Sequence, residues 1–147
     1  MKLLFTGLFS LIILMSAMVP TTKDVTGTWK TIDDETGKPK SIVKLYKQDG
    51  KLYGKITKLF REPGEEADPI CDLCEGAKHN QKIIGMVIVN GLKLDDGEWE
   101  GDDGILDPKN GKVYDCKIWL DEEDSDILNV RGYIGFFFRT QTWHRVN

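Results

Sequence analysis

The chain has 147 residues, of which 20 are basic and 24 acidic, and its formal net charge is −4. Nucleic-acid-binding domains typically carry a basic patch or stripe, whereas the lysines here are scattered among acidic residues, so we expect no nucleic acid partner. The length suits one domain that buries roughly two-thirds of its unfolded surface.

The first segment, residues 1–20, predicts a secretory signal peptide. It begins with one basic residue, Lys2, and continues as a nearly unbroken apolar run. A membrane anchor is the alternative, because the run approaches the roughly 17 residues of the shortest spanning helix. The run ends in small residues and a proline without a positive flank, which favours a signal peptide. We therefore expect an exported protein, periplasmic or extracellular, that does not span a membrane once processed.

The remaining residues, 21–147, predict a single β domain. Runs rich in β-branched and aromatic residues alternate with short links rich in Asp, Asn, Gly and Pro. The predicted strands are residues 25–32, 41–47, 52–60, 83–90, 97–101, 104–107, 112–120, 127–135 and 136–146. The links are mostly of hairpin length, and no stretch has a sustained helical period. These features predict an all-β fold, a single antiparallel up-and-down barrel of about eight strands.

The longest link, residues 61–82, contains two of the three cysteines, Cys71 and Cys74. Loops of this length are uncommon in compact domains and are usually functional or fastened. An oxidising compartment favours a disulfide between Cys71 and Cys74, which would brace the loop. A bridge from either of them to Cys116 stays open. Cys116 falls on the apolar face of its predicted strand, which favours a buried thiol.

Two other roles for the cysteines are less consistent with the sequence. A redox catalyst needs a thiolate of lowered pKa, and the neighbouring Asp72 and Glu75 would raise the pKa of either thiol. A zinc site could add His79 and Cys116 as ligands, but one Cys-x-x-Cys pair is half of the usual zinc signature. We therefore expect no metal and no cofactor.

The acidic segments lie in predicted turns, where carboxylates are usually solvated. A glycosidase needs two carboxyl groups that face each other across a cleft. A calcium loop needs an ordered ligand spacing with a glycine and a terminal glutamate, which the acidic run at residues 121–126 lacks. The serines and histidines form no triad pattern, so the sequence predicts no catalytic residue and no enzyme.

Several short motifs occur in a fixed order along the chain. They include WKTIDDETGK at residues 29–38, CDLC at 71–74, GILDPKNGKVYDCK at 104–117 and TQTWHR at 140–145. This set resembles the bacterial domain of unknown function 2147, a family of small exported proteins of lipocalin-like β-barrel type. The resemblance covers essentially the whole of residues 21–147. It implies a lipocalin-like fold and an exported location, and it implies no activity.

The start of the first strand also resembles the wider lipocalin and calycin pattern, with Gly27 two residues before Trp29. In such barrels the tryptophan closes one end and an arginine stacks on its ring, a cation–π contact of about 0.5 to 2 kcal/mol. Arg145 is the positional match, and Arg131 and Arg139 are alternatives. The other interpretation is a core tryptophan without a closing role.

Two functions are compatible with this sequence. In the first, the barrel binds a small apolar or amphipathic ligand, because barrels of about eight strands are either filled by side chains or hold one small molecule. In the second, a ligandless envelope protein acts through its surface on another protein or on cell-wall material. The candidate lining residues are the aromatics Tyr46, Tyr53, Trp99, Trp119, Tyr133, Phe137 and Trp143.

Overall fold

The structure, a computed structural model, describes residues 23–147 as a closed eight-stranded barrel. The strands are β1 (Gly27–Ile32), β2 (Pro39–Gln48), β3 (Lys51–Leu59), β4 (Val87–Asp95), β5 (Glu98–Asp107), β6 (Lys112–Leu120), β7 (Ile127–Ile134) and β8 (Phe137–Arg145). Each strand is antiparallel to its neighbours in the chain, and β8 pairs with β1. The predicted all-β, up-and-down architecture is confirmed. The predicted signal peptide lies outside the described residues.

The barrel has two different ends. We call the end that carries the β2–β3, β4–β5 and β6–β7 connections the closed end, and the opposite end the open end. Two of the three connections at the closed end are two-residue turns, in which an Asp-Gly pair adopts positive φ values: Asp49 at 51° with Gly50 at 73°, and Asp96 at 46° with Gly97 at 83°. Positive φ at both central residues matches the twist of a two-residue hairpin, which explains the Asp-Gly pairs.

Two predictions of strand bounds are wrong. The segments 97–101 and 104–107 form one strand, β5, whose register shifts between Gly101 and Ile105 around a residue of positive φ, Asp103. The strand predicted at 83–90 begins at Val87 and continues through the Asn-Gly pair to Asp95. In both cases the strand pairs with a neighbour on each side. The hydrogen bonds to these neighbours keep the strand continuous, and the turn-forming residues occur as β-bulges within it.

The segment between β3 and β4 lies at the open end. The one helix in the described part of the chain is a three-residue 3₁₀ turn at Gly76–Lys78 within this segment. Residues 23–147 contain no helix long and apolar enough to cross a membrane.

The core fills the half of the barrel nearer the closed end. Inward positions alternate along the strands, as with Val43 and Leu45 on β2 or Leu128 and Val130 on β7. The largest side chains with almost no exposure are Trp29, Leu45, Leu52, Leu92, Ile118 and Leu128. The alternation of period two thus places one dry face of every strand inside the cylinder.

Close packing at this core makes Gly104 necessary, and it yields a prediction. A Cβ at Gly104 would lie 2.4 Å from Leu92 Cδ2 and 3.0 Å from Cys116 Sγ, although the φ of Gly104 is ordinary. We expect Gly104→Ala to lower the free energy of unfolding by about 1–3 kcal/mol through overpacking, measured by urea denaturation.

The matched control is Gly132→Ala, another strand glycine, at which an added Cβ would find its nearest neighbour, Tyr114 Cβ, at 3.9 Å. Equal stability of the two variants would contradict the overpacking explanation.

Candidate functional site

The half of the barrel nearer the open end holds a cavity of about 690 Å³. Its apolar wall comes from inward residues of several strands: Ile56, Ile88, Leu106, Val130 and Trp143. Loop residues such as Asp33, Glu62 and Asn110 border it at the open end. The volume falls within the roughly 300–1,000 Å³ that is usual for small-molecule sites.

Small inward side chains explain why the barrel is empty at this level. Thr31 and Ser41 lie opposite each other on β1 and β2, where larger side chains would fill the cavity. Their hydroxyl oxygens are 2.7 Å apart, and the Ser41 N–H donates to Thr31 Oγ1 at 3.0 Å. Because these buried polar groups form hydrogen bonds with each other, their burial in the cavity wall lowers stability little. On the far wall Gly132 presents no side chain at all.

Polar side chains on the inner face of β8 form a hydrogen-bonded ladder that leads from the cavity to its rim. Trp143 Nε1 donates to Gln141 Oε1 at 3.2 Å, and Gln141 Nε2 donates to Asp34 Oδ2 at 2.9 Å. The guanidinium of Arg139 forms an ion pair with the same Asp34 oxygen. We call Trp143, Gln141, Asp34 and Arg139 the polar ladder. Three of its members belong to β8, and Asp34 belongs to the β1–β2 loop.

The loop that supplies Asp34 lies beside an incomplete strand pairing. The β1–β8 register joins Trp29 to Arg145 and Lys30 to His144, so it covers the closed end of the seam and not the open end. The loop keeps its shape through Asp33, whose Oδ1 accepts the N–H groups of Glu35 and Thr36 at 3.0 and 2.9 Å. The bond from the Thr36 backbone contributes most to lowering the pKa of the Asp33 carboxyl.

The seven predicted lining aromatics do not come together. Trp143 lies in the cavity wall, as part of the polar ladder. Phe137 is exposed at the rim, and Trp99 is buried at the closed end, where it borders a separate small pocket. Aliphatic side chains and the small residues Thr31 and Ser41 form much of the wall instead, and the aromatics Phe60 and Tyr114, which were not predicted, also border the cavity.

The other four predicted lining residues lie outside the set that borders the cavity. The rings of Tyr46 and Tyr53 stack on each other with centroids 5.9 Å apart, next to inward Leu45 and Leu52. Trp119 lies under the guanidinium of Arg131 at 5.0 Å. The last of the four, Tyr133, packs against Phe138 with ring centroids 6.2 Å apart. The alternation of apolar residues along each strand could have shown which aromatics face inward and which face outward. Aromatic character alone does not distinguish the two faces.

At the closed end, Arg145 covers Trp29. The guanidinium carbon lies 4.2 Å from the centroid of the indole ring, and Trp29 Nε1 donates to the carbonyl of Val25 at 2.8 Å. Neither alternative arginine takes this position: Arg131 stacks on Trp119, and Arg139 pairs with Asp34. Glycine is required at residue 27, because its φ is 129° and an added Cβ would lie 2.8 Å from Arg145 Nη1.

The same guanidinium binds backbone carbonyls from two parts of the chain. Arg145 donates to the carbonyls of Asp24 at 2.8 Å, Thr26 at 3.0 Å and Ser125 at 3.1 Å. It also forms an ion pair with Asp126 at 3.1 Å, and its side chain is only 11% exposed. These bonds tie the residues before β1 to the β6–β7 connection.

The loop between β3 and β4 contains the predicted disulfide, which is confirmed between Cys71 and Cys74. The Cys71 N–H donates to the carbonyl of Gln81, and the Asn80 N–H returns to the carbonyl of Cys71, both at 2.8 Å. This hairpin-like segment rests on the β5–β6 turn so closely that a Cβ at Gly111 would lie 1.9 Å from the carbonyl oxygen of Leu73.

The third cysteine and the histidine that could have joined a zinc site take other roles. Cys116 is a buried free thiol on β6. His79 Nδ1 lies 3.0 Å from the carbonyl oxygen of Cys74. Among residues 23–147, no group of three or more His, Cys, Asp or Glu side chains is arranged to hold a metal ion.

Arg145 yields a stability prediction. We expect Arg145→Gln to lower the free energy of unfolding by roughly 2–4 kcal/mol, because three carbonyls lose a charged donor and the ring loses its cation. Thermal and urea denaturation would measure this loss. The matched control is Arg131→Gln, which removes another stacked but exposed arginine and should cost under about 1 kcal/mol. Equal losses in both variants would contradict a closing role for Arg145.

The buried thiol yields a prediction about reactivity. Burial, assisted by the charge of Asp115, raises the pKa of Cys116 to about 12. Because the thiolate is the nucleophile, we expect iodoacetamide at mildly alkaline pH to leave the native protein unmodified and to add one group in denaturant, counted by mass spectrometry. Modification of the native protein at the rate of the unfolded chain would show that Cys116 is accessible.

Comparison with known proteins agrees with this fold. A protein of Helicobacter pylori, HP1028, described as belonging to the lipocalin family, has a solved structure that superposes with a TM-score of 0.69 at 20% identity, over 86% of this chain and 85% of that chain. No curated protein matches the chain significantly. The family described as "Uncharacterized protein conserved in bacteria (DUF2147)" matches residues 27–145. This match covers all eight strands, and the chain therefore belongs to the DUF2147 family.

Proposed function

We propose that this protein is an exported carrier, rather than an enzyme, that holds one small apolar or amphipathic molecule in the barrel. The observation that carries the proposal is the cavity of about 690 Å³ that the open end borders. The core packs the other half of the cylinder with large side chains, whereas Thr31, Ser41 and Gly132 leave this half empty. An unfilled apolar space lowers stability, because its lining loses packing contacts, and a bound molecule would restore those contacts.

The chemistry of the wall favours an amphipathic ligand. Apolar side chains such as Ile56, Leu106 and Val130 would contact a hydrocarbon part by burying apolar surface. The polar groups that border the cavity include Gln141 and the Tyr114 hydroxyl, which accepts from Asn110 Nδ2 at 2.9 Å. A mostly apolar wall with a few polar groups is the usual composition of a small-molecule site. The likeness to a lipocalin-family protein of Helicobacter pylori fits this assignment.

Export is part of the proposal and is supported by one sequence prediction and one structural observation. The first is the predicted signal peptide at residues 1–20. The second is the disulfide between Cys71 and Cys74, since disulfides persist in oxidising compartments.

The test is a substitution at Gly132 that fills the cavity with a large side chain. Because an added Cβ there meets nothing closer than 3.9 Å, Gly132→Phe should project its ring into the cavity with little strain. We expect native mass spectrometry of the wild-type protein, purified from its own compartment, to show a retained small molecule. The wild type stripped by mild denaturation should take up the fluorescent probe phenylnaphthylamine, and Gly132→Phe should do neither.

The matched control is Asn129→Phe, which adds the same ring on the opposite parity of β7, beside buried Leu128 and Val130. This variant should bind as the wild type does. Bare wild-type polypeptide together with no probe uptake would overturn the carrier proposal.

A surface-acting envelope protein is the second candidate, and one observation favours it. The hairpin between β7 and β8 carries three consecutive exposed phenylalanines, Phe136, Phe137 and Phe138. Exposed aromatic clusters of this kind often mark interaction surfaces. A bare wild type in the mass spectrometry experiment, with no uptake of probe, would favour this second function.

A further inference from the structure

The polar ladder holds a carboxylate at the rim of the cavity, and that carboxylate belongs to the protein. Asp34 Oδ2 receives a hydrogen bond from Gln141 Nε2 at 2.9 Å and an ion pair from Arg139. A guanidinium beside a neutral amide donor is an arrangement suited to binding anions. Both donors also line the cavity. The loop of residues 33–38 therefore places an anion at a point that a ligand in the cavity could reach.

Replacing this anion from outside would cost little. The Arg139 side chain is 60% exposed and the Asp34 side chain 31% exposed, and exposed ion pairs contribute only about 0–1 kcal/mol. The loop has its own support, because Asp33 Oδ1 binds two N–H groups and the Asp33 N–H donates to the Lys38 carbonyl at 2.8 Å. The turn does not depend on Asp34, so Asp34 can withdraw while the loop keeps its shape.

The positions of the donors along β8 define how an amphipathic ligand would be oriented in the cavity. Arg139, Gln141 and Trp143 follow one another on the inner face of β8. The distance along the strand from the first to the third is roughly 13 Å at the usual rise of about 3.3 Å per residue. A head group at Arg139 would thus leave its chain running down past Trp143 and Val130 into the apolar part of the cavity. The depth suits a single hydrocarbon chain.

Neighbouring charges at the rim largely offset one another. Lys38 pairs with Glu62 at 3.0 Å, Arg61 with Glu65 at 3.6 Å, and Lys109 with Glu35 at 3.6 Å. Lys40 also borders the cavity, as do the carboxylates of Asp33 and Asp107. Once Asp34 withdraws, Arg139 becomes a cation without its partner, next to an amide donor that has also lost its acceptor.

We propose that Arg139 and Gln141 bind the anionic head group of a single-chain amphiphile, which displaces Asp34, while the chain fills the cavity. This inference rests on the proposed carrier function and names the class of its ligand. Carboxylate and phosphate heads share the required chemistry. Asp34 acts as the resident competitor, so its removal strengthens binding of anions, whereas a purely structural ion pair predicts no gain.

The experiment measures displacement of phenylnaphthylamine fluorescence by dodecanoate, dodecyl phosphate and dodecanol, all below micelle-forming concentrations. We expect Asp34→Asn to bind both anionic probes up to about fivefold more tightly, because the displaced ion pair contributes at most about 1 kcal/mol. Arg139→Gln should weaken both by about the same factor. Neither change should alter the affinity for dodecanol, because that probe carries no charge.

Two matched controls separate the site from general charge effects. Glu35→Gln removes the neighbouring loop carboxylate, which pairs with Lys109. Arg131→Gln removes an arginine of β7 that stacks on Trp119 outside the cavity wall. Both controls should bind the anionic probes as the wild type does. Melting curves establish that every variant is folded before affinities are compared.

The outcomes are distinguishable. Equal affinity of the anionic probes for wild type, Asp34→Asn and Arg139→Gln overturns the head-group site and leaves the carrier function standing. Failure of the fluorescent probe and of all three amphiphiles to bind overturns the carrier function and this site with it. A preference for dodecyl phosphate or for dodecanoate supports the site and identifies which head group it takes.

Discussion

The contact between Arg145 and Trp29 joins the two ends of the chain that must meet for the barrel to close. Arg145 lies on β8 and Trp29 on β1, and these residues form one of the two register pairs that connect the strands. The guanidinium also binds carbonyls before β1 and in the β6–β7 connection. A seam with so short a ladder needs side-chain support, and a nearly buried guanidinium with several hydrogen bonds supplies it.

The two ends of the barrel differ in strand pairing and in the size of their inward side chains. The β1–β8 register pairs lie at the closed end, and at the open end the β1–β2 loop reaches β8 through Asp34 instead of through strand pairing. Small inward residues, Thr31 and Ser41, keep that half empty, while large ones fill the other half. The packed core and the cavity thus occupy different halves of the barrel. The disulfide-linked loop also lies at the open end, packed on the turn that contains Gly111.

Sequence reasoning succeeded where the physical cause is local. The Asp49–Gly50 turn, the run of β6 and the Cys71–Cys74 bridge each follow from a few neighbouring residues. It failed at β5 and β4, where glycines and aspartates that usually form turns were held extended by partners on both sides. It also chose aromatics as the cavity lining, although only Trp143 among them borders the cavity.

The sequence alone determined the strand content, the order of strands, the antiparallel meander and the proximity of Cys71 to Cys74, because residue type and spacing within a few positions control each of them. Tertiary structure alone decided which half of the cylinder stays empty and which side chains meet at its rim. Asp34 and Arg139 are 105 positions apart, and their meeting depends on closure, strand tilt and register together. Closure, tilt and register are properties of the whole barrel, because the position of each strand depends on both of its neighbours.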